Sequence, residues 1–360
     1  MVSHSPHLLL ALSGHGYGHL AQAAPVVNAL RKQLPKLLLS VCGSLPEAVV
    51  AARIAGEFDY YSMQTDPVLC MRSAWQVDAV ASRQVYRAFH RNWQSGFRSD
   101  LDFLKQLQPD LLLADIPYRI LAAAAARKLS AVALCSLHWA SIYAAYCDDS
   151  DEDRQIIEQM HSAYRSAKMF LAPTPSIPMP QLDNVISIGP VARTGVRQQA
   201  LLLNKCAAGC GERLVLVALG GIATQLPLDN WPHIQGVSWI FTEAPGCDRA
   251  DIIDLDSLDM RFIDVLASSD VVLTKPGYGT YAEAVCSAVP LLVIEREDWP
   301  ETVFLNNWAE QHVYLEVITT QQFYAGQFAE ALAALLDKPA CTRLEPAGTA
   351  RAAAIINTLL

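Results

Sequence analysis

His7-Leu-Leu-Leu-Ala-Leu-Ser-Gly-His-Gly-Tyr-Gly-His19 opens the chain with an apolar run, a loop of glycines and histidines, and the start of a helical segment reaching about Leu34. An unbroken apolar run of this length is the mark of a strand buried on both faces, and glycines directly after it let the chain turn tightly into a helix. The same alternation continues outward. Apolar runs recur at Lys36–Cys42, Asp110–Asp115, Ala131–Ser136 and Lys168–Ala172, separated by helical stretches such as Leu121–Lys128. Prolines then cluster at 173, 175, 178, 180 and 190 and the periodicity lapses, which places a linker there. A second series begins at Arg213–Leu219, closed by Gly220-Gly221, and proceeds through Val237–Phe241, Val271–Thr274 and Leu291–Ile294. Strands alternating with helices, joined by right-handed crossovers, predict an α/β chain of two tandem Rossmann-like, doubly wound domains facing a cleft. The expected boundaries are 1–190 and 191–360, with the last helix free to cross back to the first domain.

Length and composition agree with that division. The chain has 360 residues, 52% of them hydrophobic and 18% charged, and it exceeds the roughly 250–300 residues at which one core stops growing. Lys and Arg number 27 against 36 Asp and Glu, a balance of −9 without a basic run. Nucleic acid and anionic membrane surfaces are therefore poor partners, and a small molecule is the better expectation. The densest apolar stretch, Leu111–Ala126, is broken by Asp115 and Arg119 and falls short of the ~20 residues of a membrane span. The apolar N-terminal run has no Lys or Arg before it, so no signal peptide is expected. Nine cysteines without a CxxC pair suit reduced thiols in the cytoplasm.

Ligands of open parallel sheets collect beyond the carboxyl ends of the strands. Two loops stand there. The first, Ser13–His19, brings Gly14, Gly16 and Gly18 together with the titratable His15 and His19, and its GxGxG spacing is not a dinucleotide fingerprint. Histidine is near neutral at pH 7 and can take a proton, so His19 is the candidate general base, with His15 as rival. Asp115, ending its own strand, could orient that imidazole or simply cap the next helix. The second loop, Thr274-Lys-Pro-Gly-Tyr-Gly-Thr-Tyr-Ala-Glu283, offers Gly277, Gly279 and Thr280 as bare amides and a hydroxyl at a helix start, an arrangement suited to phosphate. Glu283, one turn on, can bond a ribose diol or serve only as a partner of the helix dipole. Gly221 could add phosphate contacts. GxxxxGK[ST] is missing, which disfavours ATP hydrolysis. His138 and Trp139 follow another first-half strand and could wall an acceptor site, although a tryptophan there fits a core equally well. Either glycine loop could also be a mere tight connection.

The second loop with its flanking strands resembles the donor segment of GT-B glycosyltransferases, in the style of the N-acetylglucosaminyltransferase of peptidoglycan synthesis, and Gly14–His19 resembles that group's first loop. Arg296-Glu-Asp-Trp-Pro-Glu-Thr-Val-Phe-Leu-Asn306, Lys275–Thr280 and Ile188-Gly-Pro-Val-Ala-Arg193 are closer still to the glycosyltransferase-like half of plant arabinose kinases and to similar bacterial predicted glycosyltransferases. The likeness runs through the chain in order. It implies a hexosyltransferase-type enzyme moving sugar from a nucleoside-diphosphate sugar, UDP-linked by preference, to a hydroxyl acceptor. Gly18, Gly221, Lys275, Gly277, Gly279, Thr280 and Glu283 would hold the donor, with Arg296, Glu301 and Asn306 at its sugar. Neither cofactor nor metal is implied, and Asp148-Asp-Ser-Asp151 reads as a capping, solvated segment. The alternatives are a nucleotide-sugar hydrolase of the same fold, whose Arg three residues after the histidine is Gln22 here, and a non-catalytic nucleotide-sugar binding module.

Overall fold

The computed structural model describes residues 5–206, 211–220, 226–242, 246, 249–296 and 298–360. The chain divides into two compact units, Met1–Val191 with Ala347–Leu360, and Ala192–Pro346. Among the described residues the first carries seven strands: β1 His7–Leu12, β2 Leu38–Gly43, β3 Asp59–Ser62, β4 Leu111–Asp115, β5 Ser130–Leu134, β6 Met169–Pro173 and β7 Val185–Gly189. The described residues of the second carry six: β8 Arg213–Ala218, β9 Val237–Phe241, β10 Ile252–Asp254, β11 Val271–Thr274, β12 Leu291–Ile294 and β13 Leu315–Ile318. Their orders are β3-β2-β1-β4-β5-β6-β7 and β10-β9-β8-β11-β12-β13, and every pairing between these strands is parallel. The doubly wound α/β class expected from the alternating pattern is thus the class observed.

Both orders reverse direction once, between β1 and β4 in the first unit and between β8 and β11 in the second. At such a switch point the flanking crossovers leave to opposite faces and open a crevice at the strands' carboxyl ends. Register fixes what lies there. Leu12 is level with Asp115, and Ala218 is level with Thr274.

The central strands are apolar because both faces are covered. In the first unit Leu8, Leu10 and Leu12 pack with Leu20, Val27 and Ile356, so the helices Gly18–Gln33 and Ala347–Asn357 share one side of the sheet. In the second, Leu216, Ile240 and Val272 pack with Tyr281, Val285 and Leu305. Each such side chain contributes about 1.5–3 kcal/mol relative to exposure. The proline-rich stretch read as a linker holds β7 as an edge strand instead. Its Val185-Ile-Ser-Ile run is short and flanked by turn residues, so the local pattern carries little of the signal that pairing with β6 supplies. Among the described residues no helix is long and apolar enough to cross a membrane.

Candidate functional site

In the first unit β1 ends at Leu12, and the backbone N–H of Ser13 donates to the carbonyl of Asp115 at 2.8 Å, tying the two strand ends together. The chain then turns through glycine. A Cβ at Gly14 would collide with the Ser44 hydroxyl, and Gly16 has φ +70°, a conformation that side chains other than glycine's rarely adopt. This places His19 in the first turn of the helix Gly18–Gln33, buried, with Nδ1 2.8 Å from Oδ1 of the fully buried Asp115. Burial pushes the Asp115 carboxyl pKa up, and the hydrogen bond to His19 works against that rise. His19 and Asp115 are therefore brought together.

Trp139 stands against the pair, its ring centre 5.3 Å from His19 and 5.5 Å from the half-buried His15. It is fully buried, and its indole N–H donates to Asp66 Oδ2 at 2.7 Å and to Ser13 Oγ at 3.0 Å. Ser13 also hydrogen-bonds Asp66, while Thr65 Oγ1 donates to the Leu12 carbonyl at 2.9 Å. Burial raises the Asp66 pKa to about 6, against the opposing effect of its hydrogen bonds and of His19 nearby. Sequence reading did not nominate Asp66, because it lies in an aperiodic loop after the edge strand β3 and meets Ser13 only through the fold. Gln22 and Cys135 were likewise not nominated: Gln22 donates to Cys135 Sγ at 3.4 Å and accepts from the Ser136 backbone N–H at 2.8 Å. His138 belongs elsewhere. It is wholly buried as the N-cap of the helix Trp139–Cys147, Nδ1 accepting from the Ser141 N–H at 3.1 Å, and burial pushes its pKa down to about 3. That position corrects the expectation of an acceptor-facing wall at His138. A cavity of about 440 Å³ in the same unit is lined by Gln64, Phe89, Asn92 and Arg119 among others, with no nominated residue on its wall.

The second unit presents the other loop at its own switch point. Thr274 Oγ1 donates to the Ala218 carbonyl at 2.7 Å, locking β11 to β8. The helix Tyr278–Ser287 begins at Gly277, with no side-chain cap and no acidic residue in its first turn. Gly277, Gly279 and Thr280 are half-buried at this end, where exposed N–H groups and the helix dipole favour an anion. Gly220, with φ +78°, lies close enough that a Cβ there would be 3.9 Å from Lys275 Cε. Lys275 is buried, and burial with the neighbouring Arg296 lowers its pKa to about 8. The Arg296 guanidinium lies 4.0 Å over the Trp299 ring, and Trp299 Nε1 donates to the buried Glu301 at 3.3 Å. Asn306 Oδ1 accepts from the Tyr281 hydroxyl at 2.7 Å. Buried Glu283 accepts from Arg193 Nε at 2.6 Å, a partner its position in the motif did not reveal. Gly221 lies outside the described residues, so its place is not assigned. Gly18 is exposed at the start of its helix, on the first unit.

Two switch-point crevices in parallel α/β units define the architectural class: the chain has the GT-B fold. Comparison with solved structures finds the same arrangement over nearly the whole length. The glycotransferase of kitacinnamycin superposes with a TM-score of 0.64 at 14% identity, covering 99% of both chains. CalG4, the calicheamicin glycosyltransferase, gives 0.61 at 14% identity over 99% of this chain and 95% of that one. A putative UDP-N-acetylglucosamine 2-epimerase from Listeria monocytogenes gives 0.58 at 15% identity over 98% and 95%. No protein-family model matches. Among curated proteins, the L-arabinokinase of Arabidopsis thaliana is 24% identical over 323 residues, 85% of this chain and 30% of that protein. The chain thus spans under a third of that relative's length.

Proposed function

We propose that this chain is a metal-independent glycosyltransferase of the cytoplasm that moves a sugar from a nucleoside-diphosphate sugar, UDP-linked by preference, to a hydroxyl acceptor. One observation carries the reading above the others: the buried His19–Asp115 pair at the first unit's switch point, in a chain whose GT-B fold is shared with glycosyltransferases.

With Nδ1–H donating to Asp115, the neutral imidazole keeps Nε2 as its acceptor. In this reading Nε2 takes the acceptor's proton as its oxygen bonds the anomeric carbon, and the bond from that carbon to the diphosphate oxygen breaks with its electron pair. Asp115 stabilises the imidazolium so formed, as a buried carboxylate beside a catalytic histidine does. The leaving diphosphate is received by the N-terminus of the helix Tyr278–Ser287, Lys275 and Arg296, so its charge is met by fixed groups without a metal. Glu283 takes the ribose hydroxyls while keeping or exchanging Arg193. Arg296, Glu301 and Asn306 address the donor sugar. Trp139 holds the rings of His15 and His19 and does not itself face the acceptor.

Thermal unfolding in the presence of a nucleotide panel tests the donor half. A nucleoside diphosphate at ~100-fold its dissociation constant stabilises by about 2.7 kcal/mol, and the expected result is a rise in melting temperature with UDP that is largely lost in Glu283→Ala. No stabilisation by any nucleotide at millimolar concentration contradicts the donor site.

A further inference from the structure

The His19–Asp115 pair has a third neighbour that the proposed transfer does not use. Cys135, directly after β5, places Sγ 3.7 Å from His19 Nδ1. That nitrogen, an oxygen of Asp115 and the sulfur all lie within 4.8 Å of one another, and all three residues are buried. Bonds of ~2.0–2.3 Å to a tetrahedral zinc ion set neighbouring ligand atoms about 3.3–3.8 Å apart. Holding such an ion would open the 2.8 Å contact between Nδ1 and Asp115 Oδ1 by about half an ångström, leave the 3.7 Å sulfur–nitrogen separation as it is, and shorten a separation near 4.8 Å by about 1.0–1.5 Å. A second observation points the same way. Among the described residues, Asp115 Oδ2 is buried without a hydrogen-bond partner, a condition that ordinarily costs about 1–3 kcal/mol and that a cation relieves.

The donor set is chemically selective. Imidazole nitrogen, thiolate sulfur and carboxylate oxygen are the ligands that zinc takes, whereas magnesium and calcium favour oxygen alone. Thiolate and carboxylate together cancel the ion's two charges, which limits the cost of burying it. Gln22 supplies the outer support, its amide nitrogen on the sulfur and its oxygen fixed by the Ser136 N–H, as groups behind metal ligands commonly do.

We propose that His19, Asp115 and Cys135 form a zinc site whose occupation switches the enzyme off. Binding takes the proton from the thiol and the proton from Nδ1. The imidazole stays neutral by carrying one proton on Nε2, so one proton per zinc is released to solvent. With Nε2 protonated and Nδ1 on the metal, His19 no longer accepts the proton of an incoming hydroxyl. The inhibitory consequence rests on the proposed transfer reaction; the site itself does not.

The test titrates the chelator-treated full chain with cobalt(II), then zinc, without nucleotide. Expected are one equivalent of cobalt, a near-ultraviolet thiolate-to-cobalt charge-transfer band, and its displacement by zinc. Cys135→Ser should abolish the band, and His19→Gln should weaken zinc binding by about tenfold or more. Each variant's thermal unfolding serves as the folding check, and zinc should raise the melting temperature of the parent chain more than that of either variant. Failure to bind a stoichiometric equivalent, or a band that persists in Cys135→Ser and so arises from one of the other free thiols, overturns the site. One equivalent of zinc bound with turnover unchanged overturns the switch. A cobalt band in a chain that turns over no nucleotide sugar even when metal-free contradicts the proposed function and leaves the metal site standing.

Discussion

Proton transfer in the proposed reaction depends on a single tautomer of His19, the one with Nδ1–H donating to Asp115. Asp115→Asn keeps the size of the side chain but allows its amide to face Nδ1 with a donor, which favours the wrong tautomer, and turnover should fall by about 10²–10⁴-fold while nucleotide affinity is retained. Steady-state kinetics beside equilibrium nucleotide binding check this, and equal losses in both would point to a structural role. Asp66 gives a different prediction. Its folded pKa, about 6, is raised above the ordinary 3.8 by burial, so the folded state binds more protons than the unfolded state between those values. Stability must therefore fall as pH rises from about 4 to about 6 and level off above, the ionised form costing on the order of 3 kcal/mol. Asp66→Asn, which can still accept from Ser13 and Trp139, should remove that slope in melting temperature against pH. An identical slope in the variant would exclude Asp66 as its source. His19 and Asp115 were legible because each sits at the end of an apolar run, where position along a strand predicts position in space. Asp66 and Arg193 were not, since each lies outside the periodic runs and meets its partner, 53 or 90 residues away, only through the fold; Cys135 does end an apolar run, but a cysteine there reads as one more small core residue. His138 misled because a histidine directly after a strand can serve as a helix cap as readily as a ligand.

Among the elements, the helix Tyr278–Ser287 makes the sharpest claim. Gly277 is its N-cap, with extended backbone and room for a Cβ, the nearest neighbour being 3.9 Å away. An aspartate there should cap the helix slightly better than glycine, by a few tenths of a kcal/mol, yet place a negative charge where the diphosphate must sit. Gly277→Asp is thus expected to leave the melting temperature unchanged or raise it while reducing diphosphate affinity by about tenfold or more, the scale of 1.4 kcal/mol. Unchanged affinity in isothermal titration would remove this helix end from the site. Lys275 supplies a pH signature for the same element. With a pKa of about 8 in the unliganded chain, it loses its charge as pH rises through that value, so diphosphate affinity should decline between about pH 7 and pH 9. Lys275→Met should flatten the decline, and a decline of equal size in that variant would assign it to another group. The loop motif itself was readable from its glycines and its strand, but the clustering of Lys275 with Arg296 depends on β11 and β12 being neighbours, which the sequence order suggests and only the sheet establishes.

For the whole molecule, strand alternation disclosed the doubly wound class, whereas the short edge strands β3, β7, β10 and β13 were weakly marked because pairing, more than composition, makes them strands. The net charge of −9 argued against extended polyanions, and the proposed donor is itself anionic. In the proposed reading it would be met by local devices, a helix end and the buried Lys275 and Arg296, that the overall balance does not report. The neighbours in structure include transferases and an epimerase, so the fold alone does not choose the chemistry. The choice falls to turnover: the purified chain is incubated with nucleoside-diphosphate sugars, with and without hydroxyl acceptors, and release of the nucleoside diphosphate is followed. The expected release requires an acceptor and drops by about 10²–10⁴-fold in His19→Ala, with nucleotide binding intact. Release that proceeds equally without acceptor, or at an undiminished rate in His19→Ala, would contradict the proposed transfer.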